Sequence, residues 1–340
     1  MELYNKLSKK ERIKLIEKAG EKRFTLSFYK YHSIKNLEIF RNFLFIELNK
    51  LDALGRIYIA KEGINAQLSL PSKNIDNLKS VIDDISFLNN VRLNIAVEHD
   101  NQSFLKLKIK IRDKIVADGL SERDYDLEKN GQHLNAEEFN KLLDDEKTII
   151  IDMRNHYESE IGHFKGAELP DVDTFRESLP IINKKYKAHK VKKNILMYCT
   201  GGIRCEKASA FLIKNGYKNV YQLEGGIIEY NRQIKKHNIE NKFVGKNFVF
   251  DNRRAEKISD QIISFCHQCG EKCDNHVNCN NEACHLLFLQ CEKCYQKFNG
   301  CCNSDCKEVY ELPIDQQKKL RKGKRNSNKI FKKGRFIQKV

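Results

Sequence analysis

The sequence contains one stretch that decides the fold of its central part, Met197-Tyr-Cys-Thr-Gly-Gly-Ile-Arg-Cys-Glu-Lys207. An apolar strand pattern from Asn194 to Tyr198 runs into Cys199, and a helical pattern begins roughly five residues later. The first N–H groups of a helix lack internal acceptors and carry partial positive charge, so they stabilise a thiolate. Arg204 adds a fixed charge to the same loop. We therefore predict a catalytic pair, Cys199 and Arg204.

The rest of this loop is predicted to be an anion cradle. Glycines at two of its positions allow the backbone to curl so that its N–H groups converge on one point. Only four residues separate Cys199 from Arg204. Cysteine phosphatases need one more residue there, so the shorter ring suits a persulfide or a smaller reacting group. The predicted cradle residues are Thr200, Gly201, Gly202, Ile203 and Cys205.

The loop and its flanks resemble a rhodanese domain. Upstream stand Ile149-Ile-Ile-Asp-Met-Arg-Asn155 and Tyr157-Glu-Ser-Glu-Ile-Gly-His-Phe-Lys-Gly-Ala-Glu-Leu169, and downstream stands Val220-Tyr-Gln-Leu-Glu-Gly-Gly-Ile227. Short apolar strands alternate with helical stretches here, which predicts a parallel α/β sheet with its reactive loop at the carboxyl end of a strand. We assign residues 135–236 to this domain, with Asn135 and Glu138 as a capping box at its first helix.

The region before it has a different pattern. Residues 1–21 are predicted to form an N-terminal helix, and residues 22–117 show the order β-α-β-β-α-β of a ferredoxin-like (acylphosphatase-like) α+β sandwich. Residues 118–134 are polar and charged, which predicts a linker. The whole chain is thus expected to be a multidomain α/β protein.

Basic residues are concentrated in two places. The chain has 62 Lys plus Arg against 46 Asp plus Glu, a net charge of +16, and its last part, residues 313–340, is expected to be a disordered basic tail attracted to polyanions. The last strand of the N-terminal domain alternates apolar and basic residues, so its basic face suits phosphates, although a solvated face or edge protection explains it equally well. Our RNA-binding candidates are Lys106, Lys108, Lys110, Arg112, Arg253 and Arg254.

Ten of the twelve cysteines fall between Cys266 and Cys306. This favours metal binding over disulfides, and residues 237–312 are predicted to form a cysteine-rich zinc-binding segment whose folding depends on the metal. An iron–sulfur cluster is the competing interpretation, since four thiolates ligate it too. We expect two sites, one of Cys266, Cys269, Cys291 and Cys294 and another of Cys279, Cys284, Cys302 and Cys306.

Four linked motifs narrow the resemblance. Lys61-Glu-Gly-Ile-Asn65, the segment Cys199 to Ala208, Phe248-Val-Phe-Asp-Asn-Arg253 and Cys266-His-Gln-Cys-Gly270 together are similar to the bacterial tRNA uridine(34) hydroxylases that carry a rhodanese domain. The resemblance covers residues 22 to 306. It implies oxygen-dependent conversion of the wobble uridine of tRNA to 5-hydroxyuridine, with Cys199 as the essential cysteine, molecular oxygen as co-substrate and tRNA as partner.

The means of activating oxygen is not visible in the sequence, which has no flavin or nicotinamide signature. We hypothesise that the Cys199 thiolate adds to C6 of uracil, with a Cys199 persulfide as the rival intermediate. The alternatives are a persulfide sulfurtransferase acting on a thiol, a small anion or a tRNA base, and a zinc-dependent RNA-binding scaffold without activity. We expect a soluble, cytoplasmic protein with no membrane association and no obligate protein partner.

Overall fold

The structure, a computed structural model, describes residues 5, 7–323 and 330–331. Within these residues the helices are α1 (Lys9–Ala19), α2 (Leu37–Lys50), α3 (Ile75–Asp83), α4 (Ala136–Leu143), α5 (His156–Ser159), α6 (Phe175–Lys185), α7 (Ile203–Lys214), α8 (Gly226–His237), α9 (Glu292–Phe298), α10 (Ser304–Glu311) and α11 (Ile314–Arg321). The strands are β1 (Arg23–Tyr31), β2 (Leu54–Ala60), β3 (Gly63–Pro71), β4 (Asn94–Ile95), β5 (Leu107–Ile111), β6 (Gln132–Leu134), β7 (Thr148–Asp152), β8 (Gly162–Phe164), β9 (Asn194–Tyr198), β10 (Val220–Leu223), β11 (Phe243–Phe248), β12 (Ala255–Lys257), β13 (His276–Asn278) and β14 (Leu287–Leu289).

The N-terminal domain confirms the ferredoxin-like order and adds one strand to it. Its sheet has the order β4-β1-β3-β2-β5, with β1, β3, β2 and β4 in antiparallel contacts and β5 parallel to β2. One face packs on α2 and α3, because alternate residues of the strands are apolar, and the core there contains Leu26, Phe28, Leu44, Leu68 and Leu78.

The other face of this sheet is polar, and it is covered by the next domain. Along β1 the positions that alternate with the core carry Thr25, Ser27, Tyr29 and Tyr31, which are buried or half-buried although polar. They are covered because α7 and the loop before it pack on this face: the Tyr31 hydroxyl donates a hydrogen bond to the carbonyl of Ile203. The N-terminal sheet therefore covers the loop that carries Cys199.

The central domain has the predicted parallel sheet, in the order β6-β10-β9-β7. The strands are nearly continuous apolar runs because helices cover both faces. Met197 of β9 packs on one face with α6 and α7, and Leu196 packs on the other face with α4 and α8. The predicted capping box is present, since Asn135 and Glu138 exchange hydrogen bonds at the start of α4.

The structure differs from the linker expected at residues 118–134. Gln132–Leu134 is strand β6 and pairs with Tyr221–Leu223, and Asp118 is buried, with its carboxylate paired to Lys207. Polar composition is misleading here because the polar side chains find buried partners elsewhere in the chain. Such partners are invisible in a local pattern.

Of the tail expected to be disordered at residues 313–340, the structure describes residues 313–323 and 330–331. Helix α11 starts directly after Pro313, and Phe331 stacks on Tyr157 with ring centroids 4.6 Å apart. Residues 324–329 and 332–340 lie outside the described residues. Among the helices described, none is long and apolar enough to cross a membrane.

Candidate active site

The loop between β9 and α7 closes around the sulfur of Cys199. Gly202 takes a φ of 99°, a conformation that a side chain would strain, and this turns its N–H to donate to Cys199 Sγ at 3.1 Å. The carbonyls on the opposite side of the loop are held by the first turn of α8: Ile227 N–H donates to Cys199 O at 3.0 Å and Ile228 N–H to Thr200 O at 3.2 Å. The loop carbonyls thus point away from the sulfur.

Cys199 is fully buried and is nevertheless suited to ionise. Burial by itself raises the pKa of a thiol, but here the Cys205 thiol, the charge of Arg204 and nearby loop N–H groups outweigh burial and lower the pKa of Cys199 to about 6. Cys205 is buried in the same cluster, and burial together with the neighbouring Cys199 raises its own pKa. At neutral pH Cys199 is therefore the thiolate and Cys205 the thiol.

Arg204 is held by Glu158, which lies on the short helix α5 after β7. The two form a bidentate pair, with Nη1 to Oε1 at 2.6 Å and Nη2 to Oε2 at 2.8 Å. Thr200 Oγ1 lies 3.4 Å from both partners. Burial opposes the charge of Arg204, but the Glu158 carboxylate outweighs burial and raises the pKa of the guanidinium. Arg204 thus acts on the thiolate by charge while its donors face Glu158.

Side chains of the N-terminal domain cover the loop that carries Cys199. The Tyr29 hydroxyl stands where a Cβ on Gly202 would come within 2.7 Å, and Asn94 Nδ2 donates to Gly201 O at 3.3 Å. Tyr29 also donates to Glu206 at 3.0 Å, and burial together with this carboxylate raises the Tyr29 pKa far above its ordinary value. The site is thus built by two domains.

A buried ion pair fixes the domains to each other. Lys207, fully buried on α7, contacts Glu62 of the Lys61–Asn65 motif at 2.7 Å and also pairs with Asp118. A lysine ammonium can be buried only when carboxylates neutralise it, so this contact depends on close docking of the two domains.

Two openings lead toward the loop along the domain boundary. One is a cavity of about 320 Å³ bounded by Tyr29, Tyr31, Asn94, His133 and Glu206. The other is a groove of about 620 Å³ between β5, the segment after β11 and the cysteine-rich region. The groove shares Phe250 with a smaller cavity that reaches Thr200, and the guanidinium of Arg204 lies 6.0 Å from the Phe250 ring centroid.

The RNA-binding candidates are placed differently from one another. The four cations of the β5 segment are exposed, and Lys106 and Lys108 line the groove together with Arg56 and Arg254. Arg254 is partly covered and donates to the carbonyl of His276. Arg253 is unsuited to phosphate because it is buried and paired with two carboxylates, Asp251 at 2.5 Å and Glu256 at 2.5 Å. Among the candidates, Arg253 is thus the one whose guanidinium is already paired within the chain; two nearby acids in the sequence are the available signal for this.

The cysteine-rich region brings together both predicted quartets. In each, all four sulfurs lie within 4.8 Å of one another: Cys266, Cys269, Cys291 and Cys294 form one, and Cys279, Cys284, Cys302 and Cys306 form the other. A tetrahedral ion with Zn–S bonds of roughly 2.3 Å needs sulfurs roughly 3.8 Å apart, and Cys284 and Cys302 are 3.7 Å apart. This spacing fits one ion per quartet better than a multi-iron cluster. Cys273 and Cys301 stay outside both quartets.

Sequence reasoning missed most of the residues that support Cys199. Glu158 and Glu206 lie in segments quoted for the resemblance, but those segments name no partner for either of them, and Tyr29 and Asn94 lie in no motif. Their signal is weak: the polar positions of β1 alternate with apolar ones and look like a solvated strand face. These polar side chains of β1 contribute to the site only because α7 covers this face of the sheet.

Three protein-family models match the chain, one in each of the three regions described above. Residues 23–115 match the UPF0176 acylphosphatase like domain, residues 135–233 the rhodanese-like domain and residues 244–307 the rhodanase C-terminal family. A protein of Photorhabdus laumondii named tRNA uridine(34) hydroxylase is 51% identical over 98% of this chain and 95% of its own length. A protein of Leptospira interrogans with the same name is 52% identical over 99% of this chain and 92% of its own length. The resemblance predicted from the motifs is confirmed, and the chain belongs to the tRNA uridine(34) hydroxylase family.

Proposed function

We propose that this chain is an oxidoreductase that hydroxylates C5 of uridine 34 in tRNA, with the Cys199 thiolate as its nucleophile. The observation that carries the proposal is the sulfur environment: a buried thiol with a pKa of about 6, held by the Gly202 N–H, at a boundary between two domains. The family relatives named for this activity support the choice of substrate.

The chemistry requires a nucleophile because C5 of uracil does not react with oxygen by itself. Addition of the Cys199 thiolate to C6 breaks the C5–C6 double bond and makes C5 a carbanion equivalent. C5 then binds O₂ and takes a proton, giving a hydroperoxide on the base. An external thiol reductant supplies two electrons and two protons, which release water and leave a C5 hydroxyl. Loss of the C5 proton expels Cys199 and restores the double bond.

The surroundings of Cys199 suit this sequence of steps. The Gly202 N–H and the charge of Arg204 stabilise the thiolate before attack and again when it leaves. Burial keeps water from the carbanion equivalent, which would otherwise be protonated. Glu158 keeps Arg204 in place without neutralising its effect on the sulfur, since the pKa of Cys199 remains low.

We place the tRNA backbone in the basic groove. Lys106, Lys108 and Arg56 line it, and Phe250 at its inner end lies next to Arg204. A wobble base belongs to a single-stranded anticodon loop, so it leaves the stack at small cost while other phosphates of the tRNA lie in the groove. Because tRNA is its substrate, we assign the activity to the cytoplasm.

The two cysteine quartets are assigned to structural zinc. Four thiolates per ion leave no open coordination position, so zinc would supply folding energy and no catalytic step. The quartets belong to the same region as Asn278 and His285, which line the basic groove. The metal would thus keep one wall of the RNA groove in shape.

Mass analysis of tRNA nucleosides tests the proposal. Cells that lack this gene should lose 5-hydroxyuridine, and the wild-type gene should restore it whereas Cys199→Ala should not. Cys273→Ala is the matched control, because this buried cysteine lies in neither the active loop nor a metal quartet. Loss of a thiolated base instead would favour sulfur transfer, and unchanged nucleosides would favour an RNA-binding scaffold.

A further inference from the structure

Asn94 occupies an unusual position between the two domains. It lies on β4, the edge strand of the N-terminal sheet, next to Ser27 of β1, and is only 4% exposed. Its Nδ2 donates to Gly201 O at 3.3 Å. The same peptide unit contributes the Gly202 N–H that donates to Cys199 Sγ at 3.1 Å. One peptide group therefore separates the Asn94 amide from the reactive sulfur.

The other end of this amide is not satisfied. Asn94 Oδ1 is buried and has no hydrogen-bond partner among the described residues. Leaving a buried acceptor unpaired is energetically unfavourable, so such atoms in folded proteins point to a missing partner. The bond from Nδ2 to Gly201 prevents the amide from flipping, which fixes Oδ1 as an acceptor.

Asn94 also lines the cavity of about 320 Å³, which is at the lower end of the range for small-molecule sites. Tyr29 and Tyr31 supply aromatic rings of the kind on which bases stack. The charged side chains of the lining largely neutralise one another, since Glu224 pairs with Arg92 and Glu206 with His133, so the cavity offers no surplus of charge to an ionic ligand. These walls favour a neutral, flat ligand that has a hydrogen-bond donor.

We propose that Asn94 recognises the target uracil, with Oδ1 accepting a hydrogen bond from the base N3–H. This inference rests on the proposed function and extends it to the choice of base. Uracil carries a hydrogen-bond donor at N3 whereas cytosine carries an acceptor there. A fixed acceptor in the protein therefore binds uracil and disfavours cytosine. Base specificity then resides in the N-terminal domain, while the nucleophile resides in the central one.

The test uses anticodon stem–loop RNAs with either uridine or 3-methyluridine at position 34, since the methyl group removes the donor. We measure the ratio of kcat/KM for the two RNAs in the wild type, in Asn94→Ala and in the control Ser27→Ala. The ratio should fall about tenfold or more in Asn94→Ala, as expected when one hydrogen bond to the base is removed, and stay unchanged in Ser27→Ala. An unchanged ratio in Asn94→Ala would overturn the proposal, even if both rates fell.

A second variant separates base recognition from support of the loop. Asn94→Asp keeps an acceptor, and its ionised form cannot donate to Gly201, so at a pH where the carboxyl is ionised the variant should still discriminate against 3-methyluridine while raising the pKa of Cys199. Loss of discrimination in Asn94→Asp would contradict the assignment. Recognition can also be tested without turnover. For this we compare the affinities for the two RNAs in Cys199→Ser and in the double variant that also carries Asn94→Ala. Failure of the wild type to hydroxylate would therefore count against the proposed function alone.

Discussion

The carboxylate of Glu158 binds both terminal nitrogens of Arg204, at 2.6 and 2.8 Å, and both side chains are almost completely buried. Removing one member of such a pair leaves an uncompensated charge in a low-dielectric environment. The positive charge beside Cys199 is therefore available only because an acid 46 residues away in the chain holds it.

Glu158→Gln should lower the free energy of unfolding by about 3–5 kcal/mol, because Arg204 stays buried without a counter-charge. Glu160→Gln is the matched control: this half-exposed acid pairs with His267, and such a contact contributes about 0–1 kcal/mol. Urea unfolding of both variants provides the measurement. Equal losses would mean that the Arg204 pair contributes no more than a surface pair.

Cys199 should ionise around pH 6, so its thiolate should be half formed there and nearly complete at pH 7.5. The difference in thiolate absorbance between wild type and Cys199→Ser, followed from pH 4.5 to 9, measures this. Cys205→Ala should move the transition to higher pH, because it removes a thiol that lowers the pKa of Cys199. A transition near the ordinary thiol value in the wild type would contradict the sulfur environment described above.

RNA with 5-fluorouridine at position 34 should form a covalent adduct with the protein. Fluorine cannot leave as a cation in the last step, in which the natural base loses its C5 proton, so the bond from sulfur to C6 persists. A band of lower mobility on a denaturing gel reveals the adduct. Cys199→Ser should abolish the band and Cys273→Ser should not; absence of the band with active wild-type protein would favour a persulfide route.

The purified protein should contain two zinc ions per chain, one for each quartet. Cys294→Ser should lower the metal content and, if the protein remains folded, leave one ion, whereas Cys273→Ser should keep both because this thiol belongs to neither quartet. Elemental analysis by mass spectrometry gives the counts. Iron with acid-labile sulfide in the wild type would show that a cluster, and not zinc, occupies these thiols.

Lys106→Glu and Lys108→Glu should each weaken binding to all tRNAs alike and make the affinity less dependent on salt. The slope of log affinity against log salt concentration should change by about one for every phosphate that the variant no longer binds. Lys79→Glu on α3 changes the chain charge equally but lies on a helix that packs on the other face of the sheet, so it should have little effect. Similar reductions in affinity for all three variants would point to overall charge and not to the groove.

Local patterns in the sequence predicted much of this structure, and contacts between distant segments explain what they missed. The strand before Cys199, the loop glycines and the capping box at Asn135 follow from neighbouring residues, so they were predictable. The bond from Asn94 to Gly201 joins residues 107 positions apart, and the pair of Glu62 with Lys207 spans 145. Contacts between residues so far apart in the chain produce no periodic pattern in the sequence. The same limit explains the linker prediction, since the partner of Asp118 lies 89 residues away.

Gly226 has a consequence for protein engineering. A Cβ at this position would come within 2.5 Å of Cys199 O and within 2.7 Å of Gly201 N. The backbone at the start of α8 therefore packs directly against the backbone of the reactive loop. Transplanting residues 199–205 alone into another parallel α/β sheet should therefore not transfer the acidic thiol. A chimera would have to carry the Gly225–Gly226 turn as well, because the shape of the loop is imposed from outside it.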